Sequence, residues 1–418
     1  MKTSRNAISS ILAAIMSCAA TGFAQAPPGT PSPSIVPVME GAPVPVGSML
    51  LYPALGFAVQ RDSNIALQPA GANVKSDTIA YLQPSIVLQA QQGANIYRLG
   101  YRGEYGRYNS STADNFENHE LAASANMRLD GRNRLSARLQ YIERVDPRGT
   151  LNLPALPTPS QYRLPSVSGV YTYGADEAQG RLELAGGYYD KRYLNNRSET
   201  AVLDHSRTDY GGTFLWRVQP KTSATVNLRQ SKYGYKDPAS TLDSTDTSIL
   251  LGARWEATAA TAGRFAIGQV KKKFDSAGTA AGREDLSGLA WEGGVSWRPL
   301  THSSVDYNTY RGPVVSTGTG SFMLTQTHQV VWTHAWSSRV MSTLNGMYIN
   351  EQFYNAPVAA IGGASREDTT KSAGLRVTYN MRRWLNIGAD YTYTHRDSND
   401  INFKYNRNQY MLFVAGTL

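Results

Sequence analysis

The chain has 418 residues, a single cysteine and a formal net charge of +9, with 25 Tyr against 10 Phe and 37 Gly. That length suits two average soluble domains or one large barrel. No run after the N-terminus approaches the ~20 apolar residues of a membrane helix, which excludes a helical membrane bundle but not strands, since only alternate strand residues meet lipid.

Residues 1–24 read as a secretory signal: Lys2 and Arg5 give a basic start, Ile8 to Ala20 an apolar core, and Gly22-Phe23-Ala24 a small-x-small cleavage site. A rival lipoprotein-type cut at Cys18 fits poorly because Met16 is a weak match there. Cleavage after Ala24 removes the cysteine, so no disulfide, thiolate metal site or Cys nucleophile is expected in the mature chain. An exported chain also argues against nucleic acid as a partner of its basic charge. Residues 25–47, rich in Pro from Pro27 onward, read as a periplasmic linker or extended tail, with a plug as a lesser alternative.

From residue 48 to 418 the chain alternates apolar and polar residues with a period of two, the mark of half-buried strands. Leu121, Ala123, Ala125, Met127 and Leu129 share one face, and Ser124, Asn126 and Arg128 the other; Leu135, Ala137, Leu139 and Tyr141 alternate with Ser136, Arg138 and Gln140. Between these two runs Asp130-Gly131 favours a primed hairpin turn. The same unit repeats over 51–60, 78–91, 95–107, 121–129, 135–141, 166–173, 181–189, 208–218, 222–233, 247–255, 263–273, 286–297, 303–311, 324–336, 340–353, 372–380, 385–395 and 404–418. The connections alternate in length. Short turns fall near Gly93, Gly131, 175–179, Pro220, 257–262, Pro299, Ser337 and Met381, and long polar loops cover 62–75, 108–118, 144–163, 194–207, 234–245, 275–285, 312–323, 354–368 and 397–402. The expectation is therefore all-β: an antiparallel transmembrane barrel of the outer membrane with about 18 strands, short periplasmic turns and long external loops. Trp216, Trp255, Trp297, Trp336 and Trp384 beside the turns, and Tyr108, Tyr189, Tyr233 and Tyr354 beside the loops, read as two interfacial girdles. Lys271-Lys272-Lys273 reads as a solvated strand end next to an outer loop.

Several loop-flanking stretches carry a family likeness. They are Leu51-Tyr52-Pro53-Ala54-Leu55-Gly56-Phe57 with Arg61-Asp62-Ser63-Asn64-Ile65, then Tyr188-Tyr189-Asp190-Lys191-Arg192-Tyr193 with Asp204 and Asp209-Tyr210. Tyr233-Gly234-Tyr235-Lys236-Asp237 with Asp246, and Tyr405-Asn406-Arg407-Asn408-Gln409-Tyr410, complete the pattern. From Val46 to Leu418 the chain resembles outer-membrane β-barrel porins encoded with exopolysaccharide and capsule biosynthesis genes, although Leu418 replaces the usual terminal aromatic residue. The resemblance implies a passive conduit for a secreted polysaccharide chain, seated in outer-membrane lipid and served by periplasmic and inner-membrane synthesis and export proteins.

The residues themselves carry no catalytic or cofactor signature; no metal or cofactor is expected. No two of the six histidines have metal-ligand spacing on a helix. Asp204-His205, in a long loop, is the one pair that a barrel hydrolase could use for acid–base work, and a solvated loop pair is the simpler reading. Asp243–Asp246 and Asp397–Asp400 read as turn chemistry rather than calcium loops. The inward face instead offers arginines and amides: Arg128, Arg138, Arg181, Arg229, Arg254 and Arg376, beside Asn126, Asn227, Asn386 and Asp390. Guanidinium groups keep their charge and favour anionic solutes along a wall. These residues are the candidate solute path, unless they only pair across strands. The leading expectation is an exopolysaccharide export channel, with an anionic polymer suited to the arginines; a general diffusion porin for small solutes is the alternative, in which loop 144–163 would fold inward.

Overall fold

The computed structural model describes residues 42–69, 71–153, 156–256, 260–276, 283–318, 320–358 and 364–417. The signal sequence, Cys18, most of the 25–47 tail with its plug reading, and Leu418 lie outside the described residues.

The first ten strands are β1 (Val44–Val46), β2 (Met49–Asp62), β3 (Asp77–Gln92), β4 (Asn95–Tyr108), β5 (Phe116–Arg128), β6 (Asn133–Asp146), β7 (Ser160–Tyr173), β8 (Gly180–Tyr193), β9 (His205–Gln219) and β10 (Thr222–Tyr235). Then come β11 (Ser244–Trp255), β12 (Thr261–Phe274), β13 (Leu286–Leu300), β14 (Ser303–Val315), β15 (Phe322–Ala335), β16 (Val340–Val358), β17 (Ala364–Arg382), β18 (Leu385–Ser398) and β19 (Tyr405–Thr417). One turn of helix, α1 (Arg197–Thr200), sits between β8 and β9. Each strand from β2 to β19 pairs antiparallel with the next, and β19 returns to pair with β2, so eighteen strands close a barrel. The small strand β1 is the exception: it doubles back on Met49–Leu51, on the edge of β2 that β19 leaves free beyond Ala54. Thus the last residues of the expected linker join the sheet.

All eighteen expected strands are present, but they are longer than the sequence suggested at the loop end. β16 and β17 each run 19 residues, well beyond the 9–11 that cross a bilayer. The polar run from Ala364 to Asp368, expected as loop, and the three residues after it continue the ladder against β16 and β18. The turn at Asp130-Gly131 also differs. Gly93 has φ 60, whereas Gly131 is not among the positive-φ glycines, so the turn is not the primed type. Asp130 closes it instead, accepting from Arg132 N at 2.7 Å, Asn133 N at 2.8 Å and Asn133 Nδ2 at 2.7 Å. These donors hold the Asp130 carboxyl below the usual carboxylate range.

Alternate residues stand outward as an exposed apolar belt, including Leu55, Leu99, Leu139, Leu184, Leu228, Leu251, Leu375 and Leu412. An exposed belt of this kind is stable only against lipid. Trp216, Trp297, Trp336 and Trp384 are all about half exposed at the turn end and form the expected girdle there. The loop-end girdle is a correction. Tyr108, Tyr189, Tyr233 and Tyr354 lie one residue out of phase with the lipid face and pack inside: Tyr233 is 4% exposed and Tyr354 stacks on Phe322 at 4.4 Å. The outward rings toward this end include Tyr141, Tyr188, Tyr210, Tyr391, Tyr393 and Tyr410.

Candidate functional site

The inward wall is built by the same period of two. Since Leu139, Leu182, Leu228, Leu251 and Leu375 face lipid, their neighbours Arg138, Arg181, Arg229 and Arg376 and, three positions on, Arg254 turn to the lumen. Most of the expected arginines are paired there. Arg229 forks onto Glu292 at 2.5 and 2.7 Å, Arg254 onto Glu183 at 2.8 and 3.2 Å, and Arg376 reaches Asp390 at 2.9 Å. The first two pairs join strands three apart (β10 to β13, β8 to β11), so they brace the wall. Asn227 is likewise tied down, receiving Thr213 Oγ1 at 2.9 Å and donating to Leu250 O at 3.4 Å.

A different pattern holds on the β5–β9 arc. Glu120 alone receives both Arg138, at 3.4 Å, and Arg144, at 3.0 Å. Asp176, in the turn between β7 and β8, receives Arg128 at 2.8 Å and also Arg134, while its carbonyl takes Arg217 at 2.6 Å. Two carboxylates therefore serve four arginines, with Arg217 held on a backbone carbonyl, and Arg128, Arg138 and Arg144 keep between 39% and 51% of their side-chain surface in water. Arg181 stands on the same arc, two residues from Glu183. Asn126 faces the lumen exposed, and Asn386 lines it half-buried, four residues before Asp390 on the same strand.

The external mouth is crossed by two elements that meet from opposite sides. Residues 147–153, after β6, form a strap over the opening, and the upper ends of β14 and β15 bend in to meet it. β13 and β14 pair only as far as Trp291–Arg311, although β14 runs on to Val315. Above that point Phe322 and Leu324 leave the wall and pack on Phe274 and Leu286, which face the interior. The strap and this hairpin join at Asn152. Its N–H donates to Thr317 O at 3.0 Å, its Nδ2 to Thr317 Oγ1 at 2.7 Å, and it bridges Gly318. Arg148 Nε fixes the strap to Asp114 at 2.6 Å, and Leu151 docks it among Tyr162, Tyr193 and Leu203. Gly149, at φ +80, lies so close to the β2–β3 loop that a Cβ would stand 2.2 Å from Ala66 O.

Sequence reading missed the charged networks beneath this lid. Arg207 pairs with Asp209 at 2.7 Å; Lys272 pairs with Asp246 at 2.8 Å, with the Tyr233 ring 4.4 Å from the ammonium. Arg396 links Glu351 to Asp368, and Arg366 lies between the Phe353 and Phe403 rings. The signal was present as acid and base two residues apart on inward positions, as in Arg207 and Asp209. Lys272 corrects the reading of the lysine triplet, since it is 3% exposed while Lys271 and Lys273 stand outside.

Asp204 and His205 are not the solvated pair expected. Asp204, 2% exposed, accepts from Tyr193 N at 2.8 Å and pairs with Arg197 at 2.8 Å. His205 donates from Nδ1 to Leu203 O at 2.8 Å, so Nε2 accepts from Tyr189 OH at 3.2 Å, and the ring stacks on Tyr235. The two side chains are bound to separate partners and serve as packing. Asp243 and Asp400 accept backbone N–H groups within their own turns.

Among solved structures, OccK1 (OpdK) of Pseudomonas aeruginosa is similar at a TM-score of 0.48 and 12% identity, covering 88% of this chain and 98% of that one. OccAB3 of Acinetobacter baumannii gives 0.48 and 11%, covering 89% and 100%. The FrpB iron transporter of Neisseria meningitidis gives 0.44 and 9%, covering 82% and 62%. No curated protein sequence matches the chain. The family model described as "Putative beta-barrel porin 2" matches residues 37–417. The chain belongs to that family and is an outer-membrane β-barrel channel.

Proposed function

We propose that the channel passes small anionic solutes by diffusion. The observation that carries this reading is the junction of strap and hairpin at Asn152, Thr317 and Gly318, which divides the external mouth and leaves little room for a threaded polymer. The sign of the solute follows from the β5–β9 arc, where arginines outnumber carboxylates and remain wetted. In a lumen of lowered dielectric such a surplus attracts anions and repels cations. Arg128, Arg138 and Arg181 are then the solute path, whereas Arg229, Arg254, Arg376 and Asp390 act as wall braces. The test is the reversal potential of the purified protein in a planar bilayer under a KCl gradient. Anion selectivity that falls in Arg138→Glu supports the reading; cation selectivity in the wild type overturns it.

Export of an exopolysaccharide is a second reading, favoured by the likeness of the loop-flanking motifs to polysaccharide-associated porins. It requires the strap to withdraw. Deleting the gene and measuring polysaccharide outside the cell separates the two: lost secretion, restored by the wild-type gene, supports export, and unchanged secretion leaves diffusion.

A further inference from the structure

The lysine triplet at the end of β12 is split by the strand period. Lys272 turns in to Asp246, while Lys271 and Lys273 stand exposed on the lipid side. The ladder brings Lys232 of β10 into the same row, through Lys232–Thr245 and Thr245–Lys273. The next row toward the membrane reads Gln230, Thr247, Lys271 and Ser287. No carboxylate stands among these paired positions; Asp243 and Asp275 lie one row further from the membrane, and Asp285 holds the strand end by accepting from Phe274 N at 2.9 Å. Elsewhere on the lipid side the outward bases Arg107 and Arg192 are matched by Glu117 and Asp190. Immediately below the lysines the surface is mostly apolar, with Leu228, Ile249 and Leu289 in one row, interrupted by Gln269, and Leu251 and Ile267 in the next, all exposed.

We infer that this patch docks a phosphorylated glycolipid of the outer leaflet, of the lipid A class, with its phosphates on Lys232, Lys271 and Lys273 and its acyl chains on the leucine–isoleucine rows. The lysines sit at the loop end of the belt, which faces the cell exterior. Neighbouring strands lie about 4.8 Å apart and alternate residues about 7 Å, so the backbone positions of the three lysines span roughly 7–12 Å, the scale of a disaccharide headgroup carrying two phosphates. Ammonium groups bind phosphate as point charges, and the flanking Thr and Ser hydroxyls add donors. The inference is independent of which solute the lumen passes.

The test is native mass spectrometry of the full-length protein in mild detergent, titrated with hexa-acylated bis-phosphorylated lipid A. Each lysine contact at a wet surface adds well under 1 kcal/mol, so each single Lys→Gln variant weakens binding about threefold and the triple at least tenfold. The triple variant keeps its heat-modifiable electrophoretic mobility and its conductance, because these side chains point away from the lumen; if it fails to insert, the three single variants carry the test. Dephosphorylated lipid A binds the wild type no better than bis-phosphorylated lipid A binds the triple variant. Lys371→Gln, outside the patch, binds as the wild type does. Undiminished binding by the variants overturns the inference. So does phosphatidylglycerol that binds the wild type as tightly as lipid A.

Discussion

Replacing Gly318 with Ala should release the strap. Gly318 has φ +157, and a Cβ there would stand 2.1 Å from Asn152 O, a backbone atom that cannot step aside without breaking the bridge. A non-glycine residue held in such backbone costs about 1–3 kcal/mol. The two hydrogen bonds from Asn152 to Thr317, lost when the bridge opens, contribute about 1 kcal/mol each at the low end of such bonds once water competes. These bonds set the stability of the closed strap and do not add to the strain, so the substitution shifts the strap toward release by about 1–3 kcal/mol, or roughly 5-fold to 150-fold in the equilibrium. Single-channel recording in planar bilayers reads this as larger unit conductance or longer open time. Gly149→Ala, which drives a Cβ to 2.2 Å from Ala66 O, should act in the same direction from the other end of the strap. Gly346→Ala is the control, since a Cβ there meets nothing within 4 Å. If both strap variants insert normally and conduct as the wild type does, the strap does not limit the aperture, and the size argument for small solutes falls with it.

Other outcomes follow from the paired charges. Glu292→Ala strands the half-buried Arg229 and should lower the temperature of heat-modified mobility by an amount equivalent to about 1–3 kcal/mol, while the Arg229→Ala/Glu292→Ala double variant costs less than the two single changes summed. Glu120→Gln frees Arg138 and Arg144 and should raise anion selectivity in reversal-potential measurements; a fall would reverse the assignment of that arc. Asp204→Ala removes the acceptor for Tyr193 N and the partner of Arg197, costing about 1–3 kcal/mol locally, and should appear as faster proteolysis within 194–204 with conductance unchanged.

Strand number, order and facing were legible because a strand crossing a bilayer must alternate residue by residue, as Leu135 to Tyr141 do, and because short and long connections mark the two ends. The upper strand ends were not. Ala364 to Lys371 is polar on both faces, since outside the membrane neither face meets lipid, and the period disappears while the hydrogen-bonded ladder continues. The inward Tyr233 and Tyr189 were misassigned because a ring near a loop carries no mark of its face until the phase of Leu228 and Leu184 is counted. The candidate arginines could be placed on the lumen wall from phase alone. Their partners could not, since Arg254 meets Glu183 three strands away and Asp176 reaches its arginines from a turn. Nor does any local pattern announce that β14 parts from β13 above Arg311, which decides the shape of the mouth.

The seam between β2 and β19 has a consequence for the order of assembly. It joins residues about as far apart as the chain allows, with Arg407 clasping Asp62 at 2.5 and 3.0 Å across a separation of 345 residues. Contacts of such span form late, because the intervening chain must be in place before its ends can meet. Until then β2 presents an open edge that invites pairing with other chains. β1 covers part of that edge at Met49–Leu51 within a few residues of β2 itself, so it can be in place long before β19 arrives. The small N-terminal strand is thus suited to shield the nascent barrel during its slowest interval, and the Asp62–Arg407 clasp to mark its completion.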